Sequence, residues 1–251
     1  MTPHESLLRP DRFPLSSRYD PTWLLGLDMG PHPLWQLEDL LTLVSLTPGQ
    51  RVLDLGCGRG ATSVFLAQQC GVEVVAFDLW IEPAEIRAVV DAAGVGDRVT
   101  VVHGDARSLP FEDGEFDAIV SIDAFEYFGT DVHFLPGLLR VLRPGGQVGM
   151  TTPALRDDPY AVHPPDAVLD LVGGEAAAWH SPGWWATHWG LTGSADGITA
   201  RMQEGGRDHW LRWSRAHGSA SAREIAMLES DADPDWIGFA LVAATKRSRA
   251  D

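Results

Sequence analysis

The side chains able to do chemistry in this chain are acids and glycines placed at fixed points among apolar runs. Asp54 lies two residues before Gly56, and Gly56, Gly58 and Gly60 alternate through the stretch Arg51 to Ala61, with Cys57 between the first two. Glycine has no Cβ, so backbone can approach a ligand closely, and a helix starting just after the turn offers it free N–H groups. Gly56, Gly58 and Ala61 also satisfy the spacing G-x-G-x-x-A of dinucleotide sites, so the turn by itself points to a nucleotide-sized ligand and no further. Asp78 follows Gly60 by 18 positions, at the end of a second apolar run, and Asp105 follows a third. Cys57 and Cys70, the only cysteines, have neither a disulfide framework nor a metal spacing, and no metal site is expected.

These residues need a scaffold, and the hydrophobic pattern supplies one. From Arg51 onward, strand-like and helix-like segments alternate. Strands are expected at 51–55, 72–77, 98–103, 116–122 and 147–152, and helices at 61–69, 82–93 and 132–142. The last of these helices is stopped by Arg143-Pro144-Gly145-Gly146. Regular βαβ alternation implies a parallel sheet covered by helices, with the ligand at the carboxyl ends of the strands. Residues 34–46 carry a helical apolar stripe, so 1–46 reads as a helical N-terminal cap, either packed on the sheet edge or lying over the pocket beside Gly30-Pro31. Residues 47–152 form the core, 153–197 an irregular Pro-, Gly-, Trp- and His-rich insertion read as a lid, and 198–251 the rest of the core. The last part is expected to hold a strand at 198–202, helices at 208–217 and 222–228, and a final strand at 236–245.

With Asp54, the glycine turn, Asp78 and Asp105 go Phe116-Asp117-Ala118-Ile119-Val120 and Leu139 to Gly146, Leu-Arg-Val-Leu-Arg-Pro-Gly-Gly. In this order the set resembles the class I S-adenosylmethionine-dependent methyltransferases, strongly over residues 49–152 and weakly elsewhere. The resemblance implies an α/β fold with a Rossmann-like, mostly parallel seven-stranded sheet of order 3-2-1-4-5-7-6, the last strand antiparallel. It also implies S-adenosyl-L-methionine as cofactor. Asp78 then accepts from the ribose hydroxyls, Asp105 from the adenine amino group, and the backbone of Ala106 meets a ring nitrogen. Leu79 and Trp80 flank the adenine, Gly56, Cys57 and Gly58 accommodate the methionine portion, and Ser121 belongs to the same set. Asp54 either holds the turn or holds the ligand's ammonium through it.

On the substrate side, the same resemblance makes Asp123, Glu126 and Tyr127, just past the fourth strand, the first candidates for catalysis. The alternative for Glu126 and Tyr127 is simple packing. His180 and His188 are candidate bases in a segment where six of the ten tryptophans fall between residues 179 and 213. Those tryptophans either wall a pocket, where they could cradle a cation, or pack into a small core of the insertion. The stretches Gly30 to Trp35, Tyr127 to Asp131 and His180 to Trp185 are similar to a bacterial group commonly labelled cyclopropane-fatty-acid-synthase-like. That label does not bring lipid chemistry with it, since no bicarbonate site or acyl groove can be mapped.

The expected activity is therefore methylation of a small-molecule nitrogen or oxygen acceptor. A lyase, cyclase or aminobutyrate transferase could use the same cofactor site, as could a non-catalytic cofactor-binding module. A dehydrogenase would share the turn and Asp78 but gives no reason for Asp54 or Asp105. The net charge of −16 argues against a nucleic-acid partner and against an anionic membrane surface. With no membrane-length apolar run and no signal-like start, a cytoplasmic location is expected, and a homodimer is left open.

Overall fold

The computed structural model describes residues 4–218, 222–229 and 236–248. Two short helices, α1 (Pro21–Gly26) and α2 (Pro33–Leu40), precede the sheet. The chain then runs β1 (Arg51–Leu55), α3 (Ala61–Phe65), β2 (Glu73–Asp78), α4 (Pro83–Ala92), β3 (Val99–His103), β4 (Phe116–Ile122), α5 (Phe134–Arg140) and β5 (Leu142–Leu155). After these come α6 (Asp166–Val172), α7 (Pro182–Leu191), β6 (Ala195–Met202), α8 (Gly206–His217), α9 (Ala222–Glu229) and β7 (Ile237–Lys246).

The strand order is β3-β2-β1-β4-β5-β7-β6. The first five strands pair in parallel, and β7 runs antiparallel to both β5 and β6. β1, β2 and β4 are almost wholly buried apolar runs, as strands covered on both faces must be. Their carboxyl ends converge, which brings the glycine turn, Asp78 and Asp123 to one edge of the molecule.

The helices start where the sequence provides caps. The side chain of Asp20 accepts from Thr22 N–H at the start of α1, His32 Nδ1 accepts from Trp35 N–H at the start of α2, and Ser181 Oγ accepts from Trp184 N–H at the start of α7. Each of these helices has proline at its first turn, where the missing N–H costs nothing. The expected helix at 61–69 is α-helical only to Phe65 and widens into a π turn over Leu66–Cys70. The helical stripe at 34–46 is helix only to Leu40. The stretch Arg143 to Gly146, expected as a stop before a strand, instead bulges out within β5. Leu142 pairs with Phe116 and Gln147 with Ala118, so four residues are looped out of the ladder.

The tryptophans of 179–213 do not share one core. Trp185 and Trp189, four apart on α7, are fully buried against the sheet with Leu53, Phe125 and Met150. Trp179 and Trp210 belong to a cluster with Leu155, Val168 and Phe239, while Trp213 packs with Leu24, Trp35 and the residues under the cap. Thus α7 is a covering helix of the sheet, packed mainly along β6. Among the described residues no helix is long and apolar enough to cross a membrane.

Candidate active-site cleft

Gly56 to Gly60 turn sharply because all three glycines sit at positive φ, 76°, 52° and 91°. A Cβ on Gly56 would stand 2.5 Å from the Ala124 Cβ, so the turn and the end of β4 approach as only glycine permits. Below the turn, Asp54 is fully buried. Its Oδ2 accepts from Thr62 Oγ1 at 2.7 Å and Ser63 Oγ at 2.6 Å, while its Oδ1 has no partner. Burial pushes the Asp54 carboxyl up to about 6. The two hydroxyls tie the last residues of β1 to the first turn of α3, so Asp54 holds the loop from beneath.

Asp78 braces the same loop from the side. Its Oδ2 accepts from Gly58 N–H at 2.9 Å, and its Oδ1 from Trp80 N–H at 2.7 Å and Ile81 N–H at 2.9 Å. An ionised carboxylate has about four acceptor sites, so one remains for a ligand. Two cavities adjoin here and share Gly56, Asp78, Trp80, Ala124 and Tyr127. One extends past Leu79 toward Asp105 and Ala106. The other runs under Cys57 and Gly58 to Met29, Gly30 and Pro31 of the cap and to Asp123. Together they form one cleft across the carboxyl ends of β1, β2 and β4. At its mouth Trp80 and Tyr127 meet edge to face, 4.9 Å apart, and both rings are largely exposed.

Eight of the ten residues expected to hold a cofactor line this cleft, namely Gly56, Cys57, Gly58, Asp78, Leu79, Trp80, Asp105 and Ala106. The other two, Asp54 and Ser121, are buried beneath it. Asp105 is engaged: Arg107 donates to it from Nε and from the terminal guanidinium nitrogen at 2.7 Å, which holds its carboxyl down to about 2. The pair is solvent-exposed, and such pairs contribute little, so it can exchange for a ligand at small cost. Burial pushes the Cys57 thiol well above its usual range, which argues against a nucleophile there.

Asp123 lies on the far wall at φ 56°, left-handed for a non-glycine residue, with its N–H donating to Thr151 O at 2.9 Å. The carboxyl is raised by burial first, then by Glu126 and Asp28. Glu126 is 7% exposed and accepts from Thr152 Oγ1 at 2.8 Å; burial lifts it to about 7. Burial and the nearby acids likewise push the Tyr127 hydroxyl up to about 12. His180 and His188 are not among the residues lining the cleft. The Nδ1–H of His180 donates to Asp158 Oδ2 at 2.9 Å, and both imidazoles stack on Trp184, at 3.5 and 4.5 Å.

Sequence reasoning did not single out Arg59, Thr62 or Met29, which also line the cleft, nor the partnership of Arg107 with Asp105. The Asp105–Arg107 spacing was the available signal, since an aspartate often bonds to the backbone two residues on, as Arg107 N–H does here at 2.9 Å.

Residues 52–146 match the family described as a methyltransferase domain. Over 137 residues the chain is 37% identical to a demethylmenaquinone methyltransferase of Clavibacter sepedonicus, covering 53% of each. It is 33% identical to a glycine/sarcosine/dimethylglycine N-methyltransferase of Actinopolyspora halophila, over 45% of this chain and 20% of that protein. The chain thus spans about half or less of these relatives. Among solved structures, phosphoethanolamine N-methyltransferase 2 of Haemonchus contortus in complex with S-adenosyl-L-methionine superposes with a TM-score of 0.69 at 20% identity, over 99% of this chain and 60% of that one. A geranyl diphosphate C-methyltransferase of Streptomyces coelicolor superposes at 0.66 and 21% identity, over 84% and 78%. Residues 52–146 thus match a methyltransferase domain, and the seven-stranded sheet shares the fold of these solved structures.

Proposed function

We propose that the chain is an S-adenosylmethionine-dependent methyltransferase acting on a nitrogen or oxygen atom of a small-molecule acceptor. The observation that carries this reading is the continuity of the cleft. Its glycine turn, Asp78 and Asp105–Ala106 run without a break into a second chamber bounded by Gly30, Pro31 and Asp123. The chamber past Leu79 to Asp105 and Ala106 suits a nucleoside, and the one under Cys57 and Gly58 suits the methionine arm, with Gly30, Pro31 and Asp123 on the wall where an acceptor would meet it.

The residues present fit that cofactor. Backbone unobstructed by side chains at Gly56 and Gly58 can lie against its methionine arm, and Asp78 keeps one acceptor site for a ribose hydroxyl. Asp105 can exchange Arg107 for an adenine amino group, while Leu79 and Trp80 offer apolar surface to the base. When bound, the cofactor supplies an electrophilic methyl group on a sulfonium sulfur. What the protein adds is placement, which by itself can account for much of the catalysis of a bimolecular transfer. The Trp80–Tyr127 pair and the cap loop border the cleft, and Asp123 stands where an acceptor's proton can be taken up, with Glu126 buried behind it on Thr152. His180, bonded to Asp158 away from the lining, has a positioning part in this scheme at most. The cyclopropane-synthase-like stretches add no lipid acceptor to the proposal.

Incubation with S-adenosylmethionine and a bacterial metabolite extract, followed by mass spectrometry, tests the reading. Protein-dependent S-adenosylhomocysteine together with a product 14 mass units heavier than its precursor is expected, the increment being one CH₂. Methylthioadenosine above the no-protein control would show instead that another sulfonium bond is cut.

A further inference from the structure

Asp123 stands out among the acids of this molecule. Its Oδ1 is shut off from solvent and accepts no hydrogen bond, although the residue lines the cleft. Its Oδ2 faces Gly30, where a Cβ would collide with it, so the cap loop is glycine where it meets this carboxylate. The charges acting on it come from Glu126 on its own turn and Asp28 on the cap loop, both of its own sign. Behind Glu126 stands a further acid, Glu175. The cation lining this chamber is Arg59, on the glycine turn between Gly58 and Gly60. A buried carboxylate oxygen without a hydrogen-bond donor is costly unless something completes it. The same chamber is walled by the exposed rings of Trp80 and Tyr127, whose faces attract cations.

We propose that the acceptor is an amine that enters as an ammonium ion, with its N–H groups donating to Asp123 and its charge facing Glu126 and the Trp80–Tyr127 rings. This rests on the methyltransferase reading and narrows it to nitrogen. The ammonium must lose a proton before its lone pair is available: an N–H bond breaks, an O–H bond forms on the Asp123 carboxylate, and the proton then passes to water. Burial and the neighbouring acids make Asp123 basic enough to take it, without any histidine in the chamber.

The test titrates the full chain with ethylammonium and tetramethylammonium chloride, and in parallel with sodium acetate and ethanol. Saturation-transfer NMR gives the affinities, with and without S-adenosylhomocysteine. The inference expects ethylammonium to bind at least about tenfold more tightly than acetate or ethanol, a preference lost by about tenfold in Asp123→Asn, and tetramethylammonium, which has no N–H to donate, to bind more weakly than ethylammonium. Asparagine tolerates the left-handed backbone, so this variant keeps the turn; Glu126→Gln serves as a second variant and should weaken the ammonium ions selectively. Equal binding of ethanol or acetate, no ammonium binding, or unchanged ammonium affinity in both variants would overturn the inference. Calorimetry of S-adenosylhomocysteine on the same samples judges the cofactor reading separately. If that ligand fails to bind while ammonium binds, the cofactor reading falls and the ammonium site stands.

Discussion

Three backbone N–H groups, from Gly58, Trp80 and Ile81, converge on Asp78, so this one carboxylate shapes the rim of the cleft before any ligand arrives. Asp78→Ala removes a charged acceptor from the ligand and leaves those donors unsatisfied. S-adenosylmethionine affinity should drop by about 1.5–3 kcal/mol on calorimetry, as for loss of a hydrogen bond to a charged group; unchanged affinity would remove Asp78 from the site. Gly56→Ala should be at least as damaging, because its positive φ and the 2.5 Å approach to Ala124 leave no room for a methyl group. A far-ultraviolet spectrum paired with the same titration separates loss of the site from loss of the fold. Asp78 and Gly56 were legible because a strand end and a tight turn announce themselves locally. The hydroxyls of Thr62 and Ser63 under Asp54 were not, since their roles depend on which way the first turn of α3 faces.

At the scale of elements, the alternation of strands and helices up to 152 was readable because each βαβ unit carries its own period and its own turn signals. The segment after 153 was not. Trp185 and Trp189 are spaced for one helix face, but only the packed sheet shows that this face is inside. The insertion read as a lid instead packs against the core: α7 covers the sheet, Val168 and Trp179 cluster with Trp210 and Phe239, and the described residues lining the cleft include none from 153–197. Trp189→Ala should cost about 3–5 kcal/mol of stability, the range for truncating a buried aromatic. Denaturant unfolding checks this, and a loss below about 1 kcal/mol would mean the helix is peripheral. The looped-out Arg143 to Gly146 escaped the reading for a related reason. A Pro-Gly-Gly sequence announces a turn but not whether the ladder resumes on both sides of it.

Across the whole molecule, the cap is sewn to the sheet through buried polar groups. Gln203 on the loop after β6 donates to Asp39 Oδ2 at 2.8 Å, and Arg12 donates to its Oδ1 at 2.6 Å. Beside them His209 lies against Phe13 and Trp35, at 5.0 and 5.1 Å, and burial holds its imidazole down to about 4. For a base with a lowered folded pKa, the folded state binds fewer protons than the unfolded state. The stability this neutral imidazole secures is then present above pH 6.5 and is lost as pH falls from 6.5 through about 4. The stability advantage of the native chain over His209→Phe should shrink across that window in urea titrations; a constant difference would place the proton elsewhere. Such long-range seams, joining residues more than 160 positions apart, leave no local signature in the sequence. The acids of the cleft do leave one, because each stands at the end of its own strand. The claim that these acids and the glycine turn form a cofactor site is tested most directly by a crystal structure with S-adenosylhomocysteine. Electron density running from Gly56–Gly58 past Asp78 to Asp105–Ala106 is the predicted result. Density at any other place, or a cleft still empty at saturating ligand, would contradict the account.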